Sequence, residues 1–193
     1  MNNRLVFFTG AGISAESGIP TFQSQPGIRE KLERDYAITH YEDYIANILY
    51  MKEACDAAVP NAAHYAIAKI NAPVITMNID GLHEKAGSKK VLAIHGRLPT
   101  HKEIKTEDLR YKLNVPVLYG DPAPLYQDAI NLMYELKYKD SYVVIVGTSF
   151  YTGISERIYE IAKQRAKEVW LINENAKERV PALCEILQKL LLI

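Results

Sequence analysis

The 193-residue sequence predicts an α/β fold of the doubly wound, Rossmann-like type, a parallel sheet with helices on both faces. Three observations carry that expectation. Short β-branched runs alternate with longer stretches of helical period. Several of these runs are apolar on both faces, as strands covered from both sides must be. The length suits one well-buried domain and is short for two, so residues 1–193 are read as a single unit.

The expected strands are residues 5–8, 74–77, 91–94, 115–119, 142–146 and 169–172. The expected helices are 41–58, 61–70, 125–137, 154–165 and 181–192, the last with Pro181 in its first turn, where a missing N–H is harmless. The polar stretch 101–112 reads as a surface connection or a short helix.

Composition narrows the function. Hydrophobic residues make up 48% and charged residues 24%, the balance of a soluble globular protein. Lys+Arg and Asp+Glu both number 23, so no basic excess exists to follow a nucleic-acid backbone or an anionic membrane. No apolar run approaches the roughly 20 residues that cross a bilayer, and the start passes straight into a strand with no room for a signal peptide. Cys55 and Cys184 are the two cysteines and form no Cys-x-x-Cys pair, which gives neither a zinc module nor a disulfide framework. A soluble, cytoplasmic chain is expected, with no nucleic-acid or membrane partner.

The sharpest local signal is Gly10-Ala11-Gly12-Ile13-Ser14-Ala15, which fits Gly-x-Gly-x-x-Gly/Ala directly after the first strand. Gly10 permits a tight turn, Gly12 lets backbone approach a pyrophosphate, and Ala15 allows close helix packing. N–H groups at the following helix start are expected to face the phosphates. The acidic residue that holds a ribose roughly 20 residues later in dehydrogenases is missing, since Glu33 and Asp35 lie in a polar stretch of helical character. An NAD site is therefore expected, but not an ordinary hydride-transfer enzyme.

The run continues as Glu16-Ser17-Gly18-Ile19-Pro20-Thr21-Phe22, and in this form it resembles the signature of the sirtuins, NAD-dependent protein deacylases. Further segments agree in order: Pro60-Asn61-Ala62-Ala63-His64, Thr76-Met77-Asn78-Ile79-Asp80-Gly81-Leu82-His83, Ile94-His95-Gly96, Gly147-Thr148-Ser149 and Asn173-Glu174. The resemblance implies that NAD lies across the carboxyl ends of the strands as a consumed co-substrate. Gly10, Ala11, Gly12, Ser14, Phe22 and Gln23 would surround its phosphates and nicotinamide-side ribose. Gly147, Thr148, Ser149, Asn173 and Glu174 would hold the adenosine half. Met77, Asn78 and Asp80 would border the nicotinamide pocket, with Asn78 and His95 as the catalytic pair and His95 as general base. Nicotinamide would leave first, the acyl-lysine oxygen would attack the oxocarbenium-like ribose, and histidine suits the later removal of a ribose hydroxyl proton. Residues 17–29 would form the loop that excludes water. An acyl-lysine peptide would pair as a strand between Tyr119-Gly120-Asp121-Pro122 and Phe150-Tyr151-Thr152-Gly153. The chain is expected to act as a monomer.

Three departures from the sirtuin pattern stand out. The four zinc-binding cysteines are absent, so residues 98–114 read as a short connection replacing the small zinc domain, and no metal is expected. Met77 stands where deacylases carry Gln, and Gln23 where they carry Arg. A lost hydrogen bond to a ribose hydroxyl costs roughly 1–3 kcal/mol. Residues 48–53 contain no Tyr-x-x-Arg pair of the succinyl-preferring members, which implies a neutral acyl group.

Blander readings accompany several of these residues. His40 and His101 read as exposed, His64 as a buttress of its helix, and His83 as ordering the turn after Gly81. Asn78 and Asp80 suit the cap of the following helix as well as a site. Ser14, Ser149 and Asn173-Glu174 suit plain turns, and the thirteen tyrosines suit packing and rim rather than base stacking. Functionally, three alternatives share the motifs: NAD hydrolysis, ADP-ribosyl transfer to protein, and NAD or ADP-ribose binding without turnover.

Overall fold

The computed structural model describes residues 4–20 and 27–191. Phe22 and Gln23, with the rest of residues 21–26 of the expected closing loop, lie outside the described residues. In chain order the elements are β1 (Leu5–Thr9), α1 (Gly12–Ala15), α2 (Arg34–Thr39), α3 (Tyr41–Ala57), α4 (Ala62–Ile70), β2 (Val74–Thr76), α5 (Leu82–Lys85), β3 (Val91–Ala93), α6 (His101–Thr106), α7 (Leu125–Tyr134), β4 (Tyr142–Val146), α8 (Gly153–Arg165), β5 (Glu168–Ile172) and α9 (Ala176–Leu191). Short 3₁₀ turns lie at Glu30–Leu32 and Leu109–Tyr111.

The five strands are parallel in the order β3-β2-β1-β4-β5. Alternate residues of β1 and β4 face opposite layers, which is why both strands read as unbroken apolar runs. Leu5, Phe7, Val144 and Val146 pack with Ile67 of α4 and with Val180 and Leu187 of α9. Val6, Phe8, Val143 and Ile145 pack with Met133 of α7 and Ile158 of α8. A third cluster joins Tyr44 and Ile48 of α3 to Leu98, Leu109 and Leu118. The sheet is thus covered on both faces, as expected for a doubly wound fold.

Two expected elements differ. Residues 115–119 add no strand to the sheet. Pro116 has no N–H to give a ladder; the Val117 N–H goes to the His95 carbonyl at 2.9 Å, and Tyr119 makes an isolated bridge to Glu33. The last helix begins at Ala176, so Pro181 sits inside it rather than in its first turn. Its start is fixed by Glu16, whose carboxylate accepts the Lys177 N–H at 2.9 Å.

The order of strands sets the position of the site. From β1 the chain proceeds outward to β2 and β3, then crosses to β4 on the other side of β1. The loops after β1 and β4 therefore diverge at a topological switch point, where α/β sheets open a crevice.

Candidate active site

The two loops at the switch point touch. The Gly10 N–H donates to Val146 and the Gly12 N–H to Gly147, both at 2.9 Å. Gly147 has φ +65°, and a Cβ there would lie 2.3 Å from the Ile13 nitrogen. Only glycine fits that approach. The phosphate-loop expectation needs one correction: α1 is a single turn, and its N–H groups are occupied. Gly12 donates to Gly147, Ile13 to Gly10 and Ser14 to Ala11, so the helix start offers no fan of open N–H groups.

Between the loops lies a cleft of about 370 Å³. Ala11, Gly12 and Ser14 form one wall, and Gly147, Thr148, Ser149 and Asn173 another. Met77, Asn78, Asp80 and His95 also line it. Gly10 stands behind the wall, its would-be Cβ 3.0 Å from the Met77 methyl. Glu174 is exposed and is not among the residues lining the cleft. Asn173 closes the β4 loop on itself: its Oδ1 accepts from the Thr148 N–H at 3.1 Å and its Nδ2 donates to the Thr148 carbonyl at 3.0 Å.

Ser14 is the hub of a buried polar network. Its hydroxyl donates to Asp80 Oδ2 at 2.7 Å and accepts from Asn78 Nδ2 at 3.1 Å. The Asn61 N–H donates to His64 Nδ1, so the ring proton lies on Nε2, which donates to Ser14 Oγ at 3.4 Å. Asn61 caps α4, and its Nδ2 reaches the Ile13 carbonyl at 2.8 Å. Asp80 has two tasks, since its Oδ1 also accepts the Leu82 N–H at 2.9 Å. One serine therefore orients both the asparagine and the carboxylate beside the cleft.

His64 of this network and the neighbouring His83, their rings 5.0 Å apart, are held neutral. Burial pushes His64 down to about 4 and His83 down to about 3. His83 does not order the turn after Gly81 through its side chain. Its Nε2 pairs with Thr9 Oγ1 at 2.9 Å, tying α5 to β1. His40 is exposed and stacked on Tyr36; His101 is exposed, with Nε2 2.9 Å from Asp56.

His95 follows β3 and is held by two partners. Its Nδ1 lies 3.0 Å from the Met77 carbonyl. A carbonyl only accepts, so Nδ1 carries the proton and Nε2 keeps its lone pair. Nε2 in turn accepts from the Tyr126 hydroxyl of α7 at 2.8 Å. Burial lowers the His95 pKa, offset in part by the Met77 carbonyl. Gly96, at φ +74°, lets Asn114 pass within 2.3 Å of where a Cβ would stand. Met77 turns its sulfur toward Thr152 Oγ1, 3.7 Å away. Sequence reasoning missed Tyr126, which had no motif to mark it and passed as one more packing aromatic.

The fold and the cleft define a dinucleotide-binding α/β protein with a basic imidazole nitrogen beside a carboxamide and a carboxylate. A profile of the Sir2 family matches residues 10–116, and the chain belongs to that family. It is 31% identical to an NAD-dependent protein deacylase of Aquifex aeolicus, over 89% of this chain and 84% of the relative. It is also 31% identical to an NAD-dependent protein deacetylase of Saccharolobus solfataricus, over 87% of this chain and 79% of the relative. A solved Sir2 homologue–NAD complex superposes with a TM-score of 0.79 at 26% identity, covering 97% of this chain and 90% of the other.

Proposed function

We propose that this chain is an NAD-dependent protein-lysine deacylase that passes the acyl group to ADP-ribose and releases nicotinamide. The observation that carries the reading is one cleft shared by the Gly12–Gly147 contact and by Asn78, Asp80 and His95. On this reading NAD supplies an electrophilic ribose carbon once its nicotinamide departs. Asn78 and Asp80, fixed by Ser14, orient the nicotinamide end. His95, neutral because it is buried, takes a ribose hydroxyl proton at Nε2 while the Met77 carbonyl holds the tautomer. Ala11, Gly12 and Ser14 border the phosphates, and Thr148, Ser149 and Asn173 the adenosine half. Phe22 and Gln23 belong to the same set by sequence alone, as does Glu174 at its margin.

The peptide would enter beside Tyr119, but the Tyr119 N–H and carbonyl are already bonded to Leu32 and Arg34. Strand pairing would therefore start at Gly120. Tyr50, Met51, Ala54, Cys55, Ile28 and Leu98 give the cleft an apolar side, which supports a neutral acyl group over an acidic one. On this reading the chain acts in the cytoplasm as a monomer.

The zinc site typical of sirtuins does not fit these residues. Burial pushes the Cys55 thiol up to about 11 and the Cys184 thiol to about 12. Among the described residues no group of three or more His, Cys, Asp and Glu could hold a metal. We read residues 98–114 as a replacement braced by charge: Glu103 accepts from Arg97 and Lys112 at 2.7 Å and forms a capping box with Thr100. Among those residues no helix is long and apolar enough to cross a membrane.

Incubation with NAD, with and without an acetyl-lysine peptide, tests the proposal. Nicotinamide release that requires the peptide supports deacylation. Release without peptide means NAD hydrolysis, and binding without release means a non-catalytic module.

A further inference from the structure

A neutral imidazole has one donor and one acceptor, and in His95 both are taken. Nδ1–H serves the Met77 carbonyl, and Nε2 is filled by the Tyr126 hydroxyl. A ribose hydroxyl can reach a basic nitrogen only by displacing one of them. Displacing Met77 would leave the Nδ1 proton without its acceptor and the tautomer unfixed. Tyr126 is the partner that can leave: it is half-buried, and it is attached through a side chain rather than the backbone.

The Tyr126 ring packs in the cluster with Met77, Leu125 and Phe150. Phenylalanine would fill the same space, so packing does not explain the hydroxyl. Burial raises the Tyr126 pKa, with Tyr119 nearby adding to the effect, so the phenol stays a donor. The groups bonded to His95 are the Met77 carbonyl from the loop after β2 and the Tyr126 hydroxyl from α7. Burial and the Met77 carbonyl are what move its protonation, with no charged group contributing.

We propose that Tyr126 is a positioning residue for the base: its hydroxyl latches His95 with Nε2 unprotonated, and the latch opens when the ribose hydroxyl takes its place. This rests on His95 being the base of the proposed deacylation. A donor to the neutral ring favours the neutral ring. In Tyr126→Phe, the His95 pKa, read from ¹⁵N-histidine NMR of the ligand-free protein, should rise by about 0.5–1. At pH 8, where the ring is neutral in both proteins, kcat/KM for the acetyl peptide should rise about two- to tenfold, with kcat changing much less.

An unchanged His95 pKa in folded Tyr126→Phe overturns the contact. A raised pKa with kcat/KM unchanged or lower at pH 8 overturns the latch. If the Phe variant does not fold, Tyr126→Met supplies the same two readouts. Should His95→Ala retain deacylation while the pKa rises as described, the base assignment fails and the contact stands.

Discussion

The crevice after β1 and β4 and the surface segment 98–114 handle polar groups in opposite ways. In the crevice each buried polar side chain has a specific partner: Ser14 serves Asp80, Asn78 and His64, and His95 serves Met77 and Tyr126. In segment 98–114 charges are plentiful and pair with one another, Glu103 and Glu107 with Lys112, and Glu103 with Arg97 just before the segment. The second set pairs full charges, and the first relies mostly on hydrogen bonds between neutral groups. The candidate chemistry concentrates where a few polar groups are individually partnered; the charged segment works as a brace.

Substitutions that strike one region and spare the other test this contrast. The largest effect is expected from His95→Ala, which should lower deacylation by about 10²–10⁴-fold while urea unfolding stays close to the parent. Acid should come next, through the neutral histidines beneath the cleft. Their folded pKa values lie below the ordinary 6.5, so below that pH the unfolded chain binds protons that the native state refuses. Stability is full above pH 6.5 and falls as pH drops toward 4 and 3. Urea titration should show a loss of roughly 2–4 kcal/mol between pH 7 and pH 5. Replacing both residues with Gln should flatten that slope.

Met77→Gln should be smaller and opposite in sign. It restores a hydrogen-bonding side chain beside Asn78, and kcat/KM for the peptide should rise about tenfold or more. No change would mean that the ribose is held elsewhere. The smallest effect belongs to the brace. Glu103→Gln should lower the thermal midpoint by no more than a few degrees, less in high salt, and leave kcat/KM unaltered.

The sheet was legible because β1 and β4 are buried on both faces and keep their apolar pattern without help. Residues 115–119 carry the same pattern and misled, because strand membership depends on a neighbour's free edge, and here Val117 and Tyr119 find partners in His95 and Leu32 instead. Pro181 misled in a similar way: the anchor that starts α9 is Glu16, distant in sequence. At the site, ordered motifs pointed to Gly12, Asn78, Asp80, His95 and Gly147, which the structure brings to one cleft. The links between them were hidden. That Ser14 joins His64 to Asp80, or that Tyr126 caps His95, follows from packing among separate elements.

On the proposed function, the base of this crevice completes transfer of an acyl group from lysine to ADP-ribose. Mass spectrometry of one reaction with NAD and acetyl-lysine peptide tests it most directly. One O-acetyl-ADP-ribose and one free lysine peptide are expected for each nicotinamide released in turnover, with both acyl-transfer products falling about 10²–10⁴-fold in His95→Ala. Free ADP-ribose accumulating at the same rate with or without peptide would contradict it.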